Sequence, residues 1–196
     1  SWFTVNSLNT SRGDLGGAGK SSSNALGFGG YGGGPVGTVA STESWDGSVW
    51  TETNNLNTAR TGSNGVGTNS SALAAGGNAQ PPRTAATEEW NASITVGAWI
   101  TGGNMNTARR SLSGTGTRAA ALAFGGTNGY GVPAVANTES YNGTAWAEVN
   151  DLNTARTGLG TAGTQTAALG FGGGPNLANT ESWNGYVWTE VNDLNT

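Results

Sequence analysis

The sequence has no cysteine, no histidine and a single lysine, Lys20. Without cysteine the chain can form no disulfide and offers no thiolate as a nucleophile or metal ligand. Charged residues make up only 10% of the 196 residues and the formal net charge is −4, so no basic stripe exists to neutralise phosphates and nucleic-acid binding is not expected. No apolar run reaches the roughly 18 to 20 residues that cross a bilayer, so no membrane insertion is expected.

Glycine, by contrast, is abundant and supplies 35 of the 196 residues. Glycine-rich, weakly charged segments are often disordered linkers. Eight tryptophans at repeating positions argue against a linker here, because disordered segments do not place large aromatic residues in register.

A five-residue phrase, Leu-Asn-Thr-Ala-Arg at 152–156, recurs along the whole chain in variant form. Related stretches lie at 8–12, 56–60 and 105–109, and a truncated one lies at 194–196. With 152–156 included, successive copies start 48, 49, 47 and 42 residues apart. Such a period indicates an array of identical supersecondary units. We therefore predict one domain, 1–196, with repeats 8–55, 56–104, 105–151 and 152–193.

Each repeat contains four strand-like segments. The first is small and polar, the second is apolar and ends in Gly-Gly, the third ends in an aromatic residue, and the fourth begins with Trp. A buried strand followed by a turn with positive φ requires the Gly-Gly order, and tight hairpins favour the dipeptides that follow the third segment, Asp46-Gly47, Asn142-Gly143 and Asn184-Gly185. The sequence therefore predicts an all-β fold of four-stranded antiparallel blades, a β-propeller.

The Trp segment occurs once more than the others, because residues 2–5 precede the first repeat. We predict an extra outer strand there. It leaves two explanations open: the chain is a segment of a longer tandem array, or the spare strand completes a blade in a neighbouring molecule. Because the chain lacks an initiator Met and starts within a unit, we expect a piece of a longer repetitive protein.

The repeats resemble the kelch family, in which a strand ending in Gly-Gly is followed by an aromatic residue and then by Trp. Gly172-Gly173, Trp183 and Trp188 follow this order, and so do Gly125-Gly126, Tyr141 and Trp146. The resemblance implies a propeller of four or more kelch-like blades. The low charge and the Asn, Thr and Gly content are also similar to kelch-like repeats of tailed-bacteriophage and environmental viral structural proteins, which implies a virion or extracellular location.

The family also includes a copper radical oxidase type whose activity needs His and a Cys cross-link. With neither residue in this chain, that activity is not expected. We predict no enzyme activity, no cofactor and no metal site, because no unique carboxylate pair or dense Asp loop is present.

One Arg and one Glu recur in every repeat. A ring of arginines that binds an anionic glycan is one interpretation, since guanidinium can bind a carboxylate or sulfate through two bonds. We favour structural ion pairs, because a buried charge requires a partner. These residues are Arg12, Arg60, Arg109, Arg156, Glu43, Glu88, Glu139 and Glu181.

The repeated aromatic residues allow the same choice between sugar stacking and packing, and we predict packing. Ligand binding is expected instead on the variable loops 29–37, 76–83, 125–134 and 172–177, since loops on a repeated scaffold commonly carry recognition. The candidate ligand-binding residues are Tyr31, Asn78, Tyr130, Asn176 and Tyr186.

The predicted function is a non-enzymatic structural or receptor-binding and adhesion propeller on a virion tail or fibre or on a cell surface. The alternative is a lectin-like glycan-binding module. The expected partners are further copies of the chain or further repeats of a longer chain, and a surface glycan or host receptor.

Overall fold

The computed structural model describes residues 4–79, 83–93, 97–174 and 177–195. Over these residues the protein is all-β, as predicted: sixteen strands form four antiparallel sheets of four strands each. The described residues contain no α-helix, and their one helical turn is the 3₁₀ segment Gly34–Val36. No described helix is long and apolar enough to cross a bilayer.

The strands of each sheet follow one another in chain order. Sheet 1 contains β1 Gly16–Ser21, β2 Asn24–Phe28, β3 Thr42–Trp45 and β4 Trp50–Thr53. Sheet 2 contains β5 Asn64–Gly67, β6 Ser71–Ala75, β7 Thr87–Asn91 and β8 Ala98–Thr101. Sheet 3 contains β9 Ser113–Thr117, β10 Ala120–Phe124, β11 Thr138–Tyr141 and β12 Trp146–Val149. Sheet 4 contains β13 Gly160–Gly163, β14 Ala168–Phe171, β15 Thr180–Trp183 and β16 Trp188–Val191.

The Gly-Gly pair that ends every second strand has the positive φ angles that the sequence predicts. In sheet 3, Gly125 has φ 65° and Gly126 has φ 98°. A Cβ atom on Gly125 would lie 2.5 Å from the carbonyl oxygen of Arg156. Glycine is therefore required there by backbone conformation and by the close approach of the next repeat.

Successive sheets pack face to face through the same two sets of residues. One face of sheet 3 carries Leu122 and Phe124, and these pack against Ala168, Trp183 and Trp188 of sheet 4. Equivalent apolar clusters join sheet 1 to sheet 2 and sheet 2 to sheet 3. The inner strands also contact one another in the order β1, β5, β9, β13, so the four sheets form a propeller-like array.

A hydrogen bond crosses each of the three interfaces at equivalent positions. In sheets 2, 3 and 4 the indole N–H of the Trp in the fourth strand donates to the Thr that begins the third strand of the preceding sheet. The bonds are Trp99 Nε1 to Thr42 Oγ1 (3.1 Å), Trp146 Nε1 to Thr87 Oγ1 (3.0 Å) and Trp188 Nε1 to Thr138 Oγ1 (3.1 Å).

The described residues form no closed ring, so the fold is an array of four propeller-like sheets. The predicted extra strand over residues 2–5 falls half outside the described residues, since 2 and 3 are not among them. Thr4 and Val5 belong to none of the strands. Asn6 nevertheless donates from Nδ2 to the Ser48 carbonyl at 2.8 Å, as Asn150 does to the Tyr186 carbonyl at 2.7 Å after β12.

Candidate functional site

The repeated arginine and glutamate are paired inside each sheet. The bonds measure 2.6 Å for Arg12 to Glu43, 2.8 Å for Arg109 to Glu139 and 2.7 Å for Arg156 to Glu181, and Arg60 is bonded to Glu88 in the same way. All eight side chains are 0 to 3% exposed. These arginines are therefore unavailable as a ring that binds an external anion.

Each buried glutamate also binds the backbone of the segment that precedes its own sheet. In sheet 3, Oε2 of Glu139 accepts the backbone N–H of Asn106 at 2.6 Å, and Oε1 accepts that of Thr107 at 3.3 Å. Nη1 of Arg109 donates to the carbonyls of Gly125 at 2.9 Å and Asn137 at 2.7 Å. Burial lowers the pKa of Arg109 and the neighbouring Glu139 opposes that shift.

The repeated aromatic residues are core residues as well. Seven of the eight are buried, which confirms the packing interpretation for Trp45, Trp90, Tyr141, Trp183, Trp99, Trp146 and Trp188. The eighth, Trp50 in sheet 1, is partly exposed, because no described sheet precedes sheet 1 and covers it.

The antiparallel topology divides the connections between two rims. We call loop rim the edge that carries the β2–β3, β6–β7, β10–β11 and β14–β15 connections, and turn rim the opposite edge with the β3–β4, β7–β8, β11–β12 and β15–β16 turns. Tyr31, Asn78 and Tyr130 lie on the loop rim, whereas Tyr186 lies on the turn rim. Asn176 lies outside the described residues.

Asn78 and Tyr130 come together on the loop rim although they belong to different repeats. Nδ2 of Asn78 donates to Oη of Tyr130 at 3.0 Å. Asn78 is only 6% exposed, whereas Tyr130 is 67% exposed. The amide therefore positions the phenol and leaves Tyr130 as the accessible member of the pair.

Two arginines that sequence reasoning did not select complete this group, which we call the Tyr130 cluster: Asn78, Arg83, Arg110 and Tyr130. Cζ of Arg110 lies 4.3 Å from the centroid of the Tyr130 ring and Cζ of Arg83 lies 4.7 Å from it. Both distances are within the range of cation–π attraction.

Both guanidinium groups of the Tyr130 cluster retain unused donors. Nε and Nη2 of Arg83 and Nε of Arg110 are buried and make no hydrogen bond within the described chain. No described carboxylate forms an ion pair with Arg83 or Arg110. By contrast, Arg118, which is also outside the repeated Arg–Glu pairs, is paired with Glu89 at 3.4 Å. Positive charge without a protein counter-ion is therefore concentrated around one exposed aromatic ring.

The sequence contained a signal for both arginines. The residue after the repeated Arg is Gly13, Thr61 or Thr157 in the other repeats, and Arg110 departs from this small or hydroxylated residue. Arg83 belongs to a loop that differs in every repeat. Both arginines therefore occupy positions at which the repeats differ, and this difference is the sequence signal for them.

An open cavity of about 600 Å³ lies among the inner strands. Residues of β1, β5, β9 and β13 line it, with Trp50 at one side, and its walls are chiefly Gly, Ala and Thr. None of the residues that line it carries a charged side chain. The cavity therefore offers backbone groups and small side chains but no acid, base or nucleophilic pair.

The described residues contain no group of three or more His, Cys, Asp or Glu that could hold a metal ion. The one strongly perturbed tyrosine is Tyr141, which donates from Oη to Oε1 of Glu89 at 2.6 Å. Burial, and then the bond and the charge of Glu89, raise the pKa of Tyr141 to about 12. A phenol with that pKa remains protonated, so it links sheets 2 and 3 and does not act as a base.

Comparison with known proteins adds no relative. No protein-family model matches the chain, and a search of curated proteins gives no significant match. The Tyr130 cluster and the buried Arg–Glu pairs are therefore interpreted from their own geometry.

Proposed function

We propose that the protein is a non-enzymatic receptor-binding or adhesion scaffold that recognises its target through the loop rim. The observation that carries this proposal is the Tyr130 cluster, where two arginines without a protein counter-ion surround an exposed phenol. Exposed aromatic and arginine side chains are the residue types that most often dominate binding energies at interfaces.

The distribution of the other charges supports a binding role. Eight of the 20 charged residues form the buried Arg–Glu pairs, whose bonds stay inside the sheets. The buried charges of each repeat are thus neutralised within it, and the repeats differ mainly in the loops of the loop rim. A constant frame with variable loops is the usual arrangement of recognition scaffolds.

The kelch relationship and a closed ring are part of the proposal. Four-stranded sheets with Gly-Gly at the second strand and Trp at the fourth support it, and continued packing of the same faces would close a propeller. The setting on a virion tail, a fibre or a cell surface rests on the resemblance of the repeats to viral structural proteins.

A lectin-like module for acidic glycans is the second candidate, and the positive charge of Arg83 and Arg110, which pair with no described carboxylate, favours it. Guanidinium binds carboxylate and sulfate groups through paired, charge-assisted bonds. The Tyr130 side chain beside them is 67% exposed and adds an accessible aromatic group that a sugar could contact. A carboxylated or sulfated saccharide fits this chemistry better than a neutral one.

Binding of the purified protein to an array of neutral, carboxylated and sulfated glycans, and to intact cells, tests both candidates. Tyr130→Ala and the double variant Arg83→Gln, Arg110→Gln should lose the binding. Tyr31→Ala, in the equivalent loop of sheet 1, and Tyr186→Ala, on the turn rim, should retain it. Glycan-specific binding that weakens with added salt favours the lectin, whereas cell binding without glycan specificity favours a protein receptor.

Equal binding by all variants would contradict the assignment of the Tyr130 cluster. Turnover of any substrate by the wild-type protein would contradict the non-enzymatic role.

A further inference from the structure

The last strand of every sheet has one edge that pairs with none of the described strands. These outer strands are β4, β8, β12 and β16. In an antiparallel pair, alternate residues direct their N–H and C=O groups away from the partner strand. In sheet 2 the N–H of Gly102 points inward and donates to the Thr87 carbonyl at 2.8 Å. The alternate residues Gly97, Trp99 and Thr101 therefore direct theirs outward, and an edge of this kind can pair with a strand of another chain.

The segment that leads into each sheet lies along the outer edge and is bonded to it. We call these segments edge straps: 6–9, 54–57, 103–106 and 150–153. The last residue of each strap is the Asn of the repeated five-residue phrase, and its Nδ2 donates to the carbonyl of the Trp in the outer strand of the same sheet. The bonds are Asn9 to Trp50 (2.8 Å), Asn57 to Trp99 (3.1 Å), Asn106 to Trp146 (3.3 Å) and Asn153 to Trp188 (3.0 Å).

The first residue of three straps makes a second bond to the edge, at the residue two positions before the Trp. The bonds run from Nδ2 to a carbonyl and join Asn6 to Ser48 (2.8 Å), Asn54 to Gly97 (2.6 Å) and Asn150 to Tyr186 (2.7 Å). In the remaining strap this residue is Gly103, and a Cβ atom there would lie 2.2 Å from the Thr144 carbonyl oxygen. The straps therefore occupy carbonyls that an added strand would use.

A carboxylate protects three of the four outer strands as well. The residue two positions after the Trp is exposed in all four, and it is Glu52, Glu148 and Glu190 in β4, β12 and β16 but Thr101 in β8. Charged side chains on edge strands oppose pairing with other chains. Strand β8 carries no charged residue, and its Ile100 is 52% exposed. Among the described residues, the bonds from Asn54 and Asn57 are thus what closes this edge.

We propose that β8 is a latent pairing strand, which Asn54 and Asn57 keep from pairing with β8 of a second copy of the chain. A second copy fits the edge because two uncharged β8 strands meet without repulsion. Self-pairing of the other outer strands would bring two glutamates onto one short edge, and like charges that face each other across strands are destabilising. Antiparallel pairing of β8 with itself is isologous, so it would form a closed dimer by strand addition.

The position of β8 makes this inference independent of the length of the array. Sheet 2 packs against sheet 1 on one face and against sheet 3 on the other. Further repeats on either side would pack against faces and would not reach the outer edge of sheet 2. The inference also does not depend on the Tyr130 cluster.

Removal of the strap bonds from sheet 2 should produce the dimer. The double variant Asn54→Ala, Asn57→Ala frees the carbonyls of Gly97 and Trp99. In sedimentation velocity over a concentration series it should associate at least about tenfold more tightly than wild type, since two acceptors on the edge become available. Addition of Thr101→Glu should return association to the wild-type level. Amide hydrogen exchange at Thr101 should slow in the dimer, because its outward N–H becomes bonded.

The matched control is Asn150→Ala, Asn153→Ala in sheet 4. It removes the equivalent bonds to Tyr186 and Trp188 and also the bond from Asn153 to Glu181 at 2.9 Å, so it should lose at least as much stability as the sheet 2 variant. It retains Glu190 and should associate as wild type does. Addition of Glu190→Thr makes this edge equivalent to that of β8 and should produce association. If the sheet 2 double variant does not fold, Asn57→Ala, which removes one bond, gives the same comparison.

Association of the folded sheet 2 variant that equals that of wild type would overturn the proposal. Equal association of the two double variants would overturn it as well, because loss of stability and not the uncharged edge would then be the cause. A dimer that persists after Thr101→Glu would show that β8 is not the pairing strand.

Discussion

Replacement of Glu139 by Ala should be among the most damaging single changes in the chain. It removes the carboxylate that binds Arg109 at 2.8 Å and the N–H of Asn106 at 2.6 Å. Because both side chains of the ion pair are 0% exposed, the guanidinium would remain buried without a counter-ion. Breaking a buried pair in this way costs about 3 to 5 kcal/mol, and at about 2 to 4 °C per kcal/mol for a chain of this size the unfolding midpoint should fall by about 6 to 20 °C.

Glu148 provides the matched control, since it lies directly opposite Glu139 in the sheet. Its carboxylate accepts one bond, from Asn137 Nδ2 at 2.7 Å, at an exposed position. Glu148→Ala should therefore change the free energy of unfolding by no more than about 0.5 kcal/mol. Thermal unfolding followed by circular dichroism compares the two variants. Equal unfolding midpoints would refute a stabilising role of the buried Arg109–Glu139 pair.

Three further measurements examine other features. Thr138→Val should cost about 1 to 3 kcal/mol in denaturant unfolding because it leaves the buried indole N–H of Trp188 unpaired. Thr180→Val should be nearly neutral, because Oγ1 of Thr180 has no partner among the described residues; similar losses would contradict the inter-sheet bond. Gly125→Ala should destabilise the protein more than Gly158→Ala, because both have φ near 60° but only Gly125 meets a neighbouring carbonyl. Burial raises the pKa of Tyr141 from the ordinary value of 10.0 to about 12. Its contribution to stability should therefore be complete below pH 10 and be lost as the pH rises to about 12; ultraviolet absorbance follows its ionisation, and a midpoint at 10 would contradict its burial.

The repeat unit could be predicted in detail because each of its features recurs. Gly-Gly at the end of the second strand indicated positive φ, and Gly125 and Gly126 have it. The dipeptide Asn142-Gly143 indicated the tight turn between β11 and β12, where Asn142 Oδ1 accepts the N–H groups of Thr144 and Ala145. These are local signals, and the backbone satisfies them locally.

The meeting of Arg83 and Arg110 around Tyr130 could not be predicted, because it depends on how two successive sheets are placed. Neither arginine is repeated, and no spacing rule connects two variable positions in different repeats. Whether such an array closes into a ring is beyond the sequence for a related reason. It is determined by the rotation at each interface, a small angle that accumulates over the array and leaves no pattern in the residues.

The identity of the three sheet interfaces also has a consequence for how such a chain can change over generations. A duplication or deletion that spans one whole unit adds or removes both faces of a sheet together, so the sheets at the new junction still fit each other. Stability then changes by about one unit plus one interface at a time, as in a linear array of nearest neighbours. Gain or loss of part of a unit would instead leave a Trp without the Thr that accepts its indole N–H in the preceding sheet. The length of the protein is therefore expected to vary in whole units of about 48 residues, while the loops on the rim vary residue by residue.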